Sequence, residues 1–249
     1  MEKDLSNRIE HFRKSASKTG EDVVFTAFPQ KLSELLETTS SKDSPFHILQ
    51  AQSSTDPTVY APSHSKADEP VSKKRRLNGT RESENDPTRS SSSVVNDTQY
   101  ARLPAHVFAN KHIPKLHDTV KRECEHFVSL LDKVKLWVTL TMPNGDNFGV
   151  QIQEEVLGEL HRAQESAYNL RDAARQDYLA RAKICSKLIK YPNVEDYALA
   201  LREHDEKQLY LARQNLMDLR NMYAVLTDLI HKNISKIRTP KANNSVGLY

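Results

Sequence analysis

Met142-Pro143-Asn144-Gly145-Asp146-Asn147-Phe148-Gly149-Val150-Gln151 separates two long runs of helical periodicity. Two of the chain's six glycines, Gly145 and Gly149, stand here with Phe148 between them. Glycine accepts backbone angles closed to other residues, and Asn and Asp side chains bond their own backbone in turns. Pro143 disfavours helix at the residue before it, so the preceding helix is expected to stop near Thr141 or Met142. Read locally, the segment is a helix-to-helix turn.

The periodicity on either side sets the architecture. Upstream, Ile113, Leu116, Val120, Cys124, Phe127, Leu131, Val134 and Val138 recur at three or four residues from about His112 to Thr141. Pro114 suits the first turn, where its missing N–H is not needed. Leu130, Leu136, Trp137 and Leu140 widen the apolar surface, as in a helix packed on more than one side. Downstream, Ile152, Val156, Leu160, Ala163, Ala167, Leu170, Ala174, Tyr178, Cys185 and Leu188 mark a helix of about 60 Å. Asp146 or Asn147 is expected to cap its start, with Glu154 and Glu155 at its positive end.

Tyr191-Pro192-Asn193-Val194-Glu195-Asp196 is a second, tighter break. Pro192 stops one helix and Asn193 is expected to cap the next. A connection this short forces an antiparallel pair. The last helix carries Tyr197, Leu201, Ala212, Leu216, Leu219, Tyr223, Leu226, Ile230 and Ile237, and Pro240 ends it. Asp205 and Gln208 interrupt its stripe, predicting a polar layer or an interface. Beyond it lies a flexible tail over 242–249.

At the other end, Leu5, Ile9, Phe12, Ala16, Val23 and Ala27 predict a first amphipathic helix over 1–37, kinked or interrupted at Pro29. Residues 38–105 are rich in Ser, Thr, Asp, Asn, Pro and Gln, with no sustained period. Such a segment cannot bury enough apolar surface to offset the entropy of ordering it, and predicts a disordered insert. Within it Lys73-Lys74-Arg75-Arg76 has the form of an extended basic ligand for an acidic groove, as in nuclear import. The expected fold is therefore all-α: an antiparallel four-helix bundle with long helices, the insert between helices 1 and 2, and helices 2–4 over 106–241.

Composition excludes several classes. The chain has 249 residues, 37% hydrophobic and 28% charged, with a net charge of +3. That charge is too small to argue for nucleic acid, and no aromatic platform accompanies the basic cluster. No run reaches the roughly 18 apolar residues of a membrane span, and Met1-Glu2-Lys3-Asp4 opens no signal peptide. Cys124 and Cys185 each lie in a helical pattern and read as small apolar side chains in a reducing compartment. There is no Gly-rich phosphate loop, HExxH or paired CxxC, and His112, His117 and His126 lack the spacing of a metal pair. Neither catalysis nor a metal or cofactor is expected.

The residues themselves carry a resemblance. Gly145-Asp146-Asn147-Phe148-Gly149-Val150-Gln151-Ile152-Gln153-Glu154-Glu155 resembles the activation loop and following helix start of the 11S proteasome activators, the REG family. Arg181-Ala182-Lys183, Ser186-Lys187 and Lys190-Tyr191-Pro192-Asn193-Val194-Glu195-Asp196-Tyr197 are similar to that family's turn between its third and fourth helices. Asp205-Glu206-Lys207, Leu219-Arg220-Asn221, Lys232-Asn233-Ile234, Phe28-Pro29-Gln30-Lys31-Leu32 and the closing Leu248-Tyr249 match as well. The basic cluster and the final Leu-Tyr look most like the gamma-type, nuclear member.

The resemblance implies a non-enzymatic subunit of a homoheptameric ring, docking on the α ring of the 20S proteasome without ATP or ubiquitin. It assigns docking to a tail of Asn244, Ser245, Val246, Gly247, Leu248 and Tyr249. Gate opening falls to an activation loop of Asn144, Gly145, Asp146, Asn147, Phe148 and Gly149. Lys183 matches a pore-facing lysine, and Lys73, Lys74, Arg75 and Arg76 would bind an import receptor, giving a nuclear location with a cytoplasmic pool. The family's loop reads Gly-Asn-Asn-Phe-Gly; Asp146 replaces the first asparagine, removing an amide donor and adding a charge. A competing reading from another class is a nuclear helical adaptor that binds proteins or nucleic acid through the insert.

Overall fold

The structure, a computed structural model, describes residues 2–50, 54–60, 105–143 and 150–239. It runs α1 (Glu2–Asp22), a π-turn (Val23–Ala27), α2 (Phe28–Ser40), a 3-10 turn (Ile48–Gln50), α3 (Ile113–Thr141), α4 (Gln151–Lys190) and α5 (Glu195–Arg238). No strand occurs among the described residues, only an isolated antiparallel bridge between Tyr60 and His106. Asp22, Ala27 and Phe28 keep helical dihedrals, so α1, the π-turn and α2 form one rod. Four rods then pack as the expected antiparallel bundle. The first rod meets α5 head to tail, Glu21 at Arg238 and Thr39 at Arg213, while α3 and α4 meet at Lys135–Gln164 and His117–Asp177.

Pro29 explains the π-turn. It has no N–H to give, and its ring crowds the carbonyl four residues back. The helix widens instead of breaking: the Phe28 N–H bonds the Val23 carbonyl, a five-residue step. Continuity carries the rod to Ser40, past the expected end at residue 37. Thr38, Thr39 and Ser40 return their hydroxyls to the carbonyls of Glu34, Leu35 and Leu36. Arg213 of α5 caps the end with two bonds to the Thr39 carbonyl, 3.1 and 3.0 Å.

The core is where the stripes converge. Tyr223 meets Phe127 and Phe28 edge to face, 4.6 and 5.2 Å between ring centres, and the two phenylalanines lie tilted to each other. Leu131, Val134, Leu160, Leu209, Leu216 and Ile230 extend it along the bundle. Burial pushes the Cys124 thiol up to about 12, so it behaves as the apolar filler expected, whereas Cys185 is only half-buried.

Three further expectations need correction. Leu5, Ile9 and Phe12 lie exposed. Gly20 lies against Trp137, which places Thr141, the end of α3, level with about Ala16; residues before that point run past α3. The insert is shorter than 38–105, because its two ends pack on the bundle through single anchors, without periodicity. Phe46 is buried, Tyr60 and His106 exchange backbone bonds of 2.9 and 3.0 Å, and Thr55 and Asn110 bond Asp205. Finally, Asn193 does not cap α5. Val194 occupies that position with extended backbone, and backbone bonds from Val194 to Tyr191 and from Tyr197 to Val194 close the turn.

Candidate functional site

One end of the bundle holds the points from which two of the stretches singled out in the sequence depart. α3 stops at Thr141; Met142 is extended and gives its N–H to the Thr139 carbonyl. Pro143 forbids continuation in the way expected. The chain returns at Val150, which is buried and whose carbonyl accepts the first bond of α4 from the Glu154 N–H at 3.0 Å. Glu154 lies in the first turn of α4, where negative charge is favoured. Val150 makes no side-chain cap, and Asp146 and Asn147 lie outside the described residues.

α5 ends beside that return. Ile237 is fully buried in its last turn. Gln153, in the first turn of α4, donates from Nε2 to the Lys236 carbonyl at 2.7 Å. On the other side Arg238 makes a two-pronged bond to Glu21 of α1, 2.9 and 2.5 Å. A two-pronged guanidinium–carboxylate pair fixes direction as well as distance. The last turn of α5 is thus held from both flanks, and the segment beyond it leaves from the same end of the bundle as the segment joining α3 to α4. The proposed loop residues Asn144 to Gly149, tail residues Asn244 to Tyr249 and basic cluster Lys73 to Arg76 lie outside the described residues. Only their points of departure are defined.

The other half of the bundle holds a buried polar layer. Arg181 of α4 bonds Asp205 of α5 through Nε and Nη2 at 2.9 and 3.3 Å. Asp205 Oδ2 also accepts from Asn110 Nδ2 at 2.8 Å and the Thr55 hydroxyl at 2.9 Å, while Arg181 Nη1 reaches the Phe108 carbonyl. Asn110 Oδ1 takes the N–H groups of His112 and Ile113 and so closes the start of α3. One helical turn away, Asp177 bonds His117 of α3 at 3.1 Å and His204 of α5 at 2.8 Å. Burial alone raises the Asp177 carboxyl, but the two histidine bonds and their charge outweigh it and hold the group below its ordinary value. Asp205 is the polar layer foreseen from the interrupted stripe. His117 and Asp177 were not foreseen, since their partners come from three different helices. Lys183 stands exposed on α4 two residues past the buried Arg181.

Relatives decide the lineage. The family model "Proteasome activator PA28, C-terminal" matches residues 106–247. Over 259 aligned residues the chain is 33% identical to human "Proteasome activator complex subunit 3", covering 100% of this chain and 98% of that one. The chain belongs to the PA28 family of proteasome activators. Its PA28 fold has a solved counterpart in the 11S subunit of the Plasmodium falciparum proteasome, PA28, at 28% identity and TM-score 0.67, covering 96% of this chain and 95% of that one. At 12% identity and TM-score 0.58, an activator crystallised with an archaeal 20S proteasome shares the fold, covering 98% of this chain and 99% of that one.

Proposed function

We propose that this PA28 chain is an activator of the 20S proteasome that acts without ATP or ubiquitin, as a homoheptameric ring. It is a regulator, with no chemistry of its own. The tail, Asn244 to Tyr249, docks between α subunits of the proteasome, and the loop, Asn144 to Gly149, displaces the gate. The observation that carries this reading is the common departure of loop and tail from one end of the bundle, tied together by the Gln153 bond to Lys236. A device that docks with one segment and pushes with another needs both on the same face. Family membership over the whole chain supports it.

Seven identical tails on one ring convert weak single contacts into firm docking through effective concentration. The loop then has only to bias the gate. Lys183, exposed on α4, is assigned to the ring's channel. Lys73 to Arg76 are assigned to binding an import receptor, which would place the protein in the nucleus.

The test removes Gly247, Leu248 and Tyr249 and measures 20S hydrolysis of fluorogenic peptides. Stimulation is expected to vanish while the ring persists by mass measurement. Undiminished stimulation by the shortened ring refutes the proposal.

A further inference from the structure

Gln153 is fully buried, yet only its Nε2 has a partner, the Lys236 carbonyl. Its Oε1 has none among the described residues. Burying an amide with an open acceptor costs free energy that an apolar side chain of similar length would avoid. Packing alone therefore does not account for a glutamine here. What the glutamine does provide is the side-chain hydrogen bond described between the first turn of α4 and the last turn of α5. Gln153 lies three residues after Val150, where the chain returns from the segment 144–149, and Lys236 lies four residues before the segment 240–249.

We propose that Gln153 is a positioning residue that couples the loop to the tail, so that the height at which the tail seats sets the height at which the loop meets the gate. The inference rests on the function proposed above. The bonded carbonyl belongs to the turn that Arg238 and Glu21 hold from the opposite side, so a load on the tail is carried to α1 and to the stem of α4 together. Among the described residues, what else holds the α4 stem at this level is apolar burial such as that of Val150 and Val156, which resists sliding weakly because it has no preferred direction. Without the bond, docking persists while the push on the gate loses its fixed reference.

The experiment replaces Gln153 by Met, which keeps length and burial but has no donor, and separately by Asn, whose amide is one methylene too short for the carbonyl. Peptide hydrolysis by the 20S proteasome is titrated with each ring, giving a maximal stimulation and a half-saturating concentration. Both variants are expected to lower the maximum about fivefold, the scale of one lost hydrogen bond, with the half-saturating concentration unchanged within about twofold. An unchanged maximum overturns the coupling, as does a shift confined to the half-saturating concentration. Loss of folding or of the ring in both variants also overturns it, since Gln153 would then be a structural residue. A wild-type ring that fails to stimulate sinks the functional reading itself, a result distinct from all of these.

Discussion

At the scale of single residues, the buried ion pairs are the most exposed to test. Asp177 accepts from His117 and His204 with almost no access to solvent, and its carboxyl lies below its ordinary value of 3.8. A carboxyl lowered by folding stabilises the folded chain above its unfolded value, and that contribution fades as pH falls through the folded value. Asp177→Asn keeps the shape but can accept from one histidine only. It is expected to destabilise the chain by about 2 kcal/mol at pH 7, judged from the cost of breaking buried charged hydrogen bonds. Thermal melts of both proteins should show a gap at pH 5 that narrows as pH falls below 3.8. A gap that stays constant into the acid range would mean that Asp177 is not the group responsible. This layer was only half legible from sequence. Asp205 breaks a visible stripe, but a histidine beside Leu116 and an aspartate beside Tyr178 gain meaning only when three helices bring them together.

Among elements, the first rod shows how backbone constraints place a helix. Gly20 faces Trp137, and a Cβ at Gly20 would put the Trp137 Cγ 2.8 Å away. The missing side chain lets the bundle's single tryptophan seat fully buried against the rod. Gly20→Ala gains up to about 1 kcal/mol of helix propensity but forces α1 and α3 apart, at a cost of about 1–3 kcal/mol. The expected net is a destabilisation of about 1 kcal/mol, read as a lower denaturant midpoint. A stabilised variant would show that the contact yields easily. Three residues on, the π-turn begins that absorbs Pro29 without ending the helix. Proline at position 29 announced a disturbance, but whether it becomes a break, a kink or a wider turn depends on what the rod packs against. Here Phe28, at the C-terminal edge of the π-turn, is locked in the aromatic cluster with Phe127 and Tyr223.

For the whole molecule, exposed apolar groups on α1 and the long flanks of the bundle fit a subunit whose surface is completed by copies of itself. Leu5, Ile9 and Phe12 lie about half exposed along one helix, four and three residues apart. A seven-fold ring is expected in negative-stain images of the purified chain, with a mass seven times the 28.4 kDa of one subunit. A monomer of that mass would remove the basis for multivalent docking.

The sequence by itself determined the number of long helices, their antiparallel order, the two breaks at Pro143 and Pro192, and the family. Those features are local: apolar spacing, proline chemistry and short connections act between neighbours along the chain. Tertiary structure alone decided that Leu5, Ile9 and Phe12 are exposed, that both ends of the insert are pinned to Asp205 and to the Tyr60–His106 bridge, and that Gln153 meets Lys236. Each of these depends on how far one rod slides past another, and that register is set by buried contacts such as Gly20 against Trp137, between residues more than a hundred positions apart in the chain.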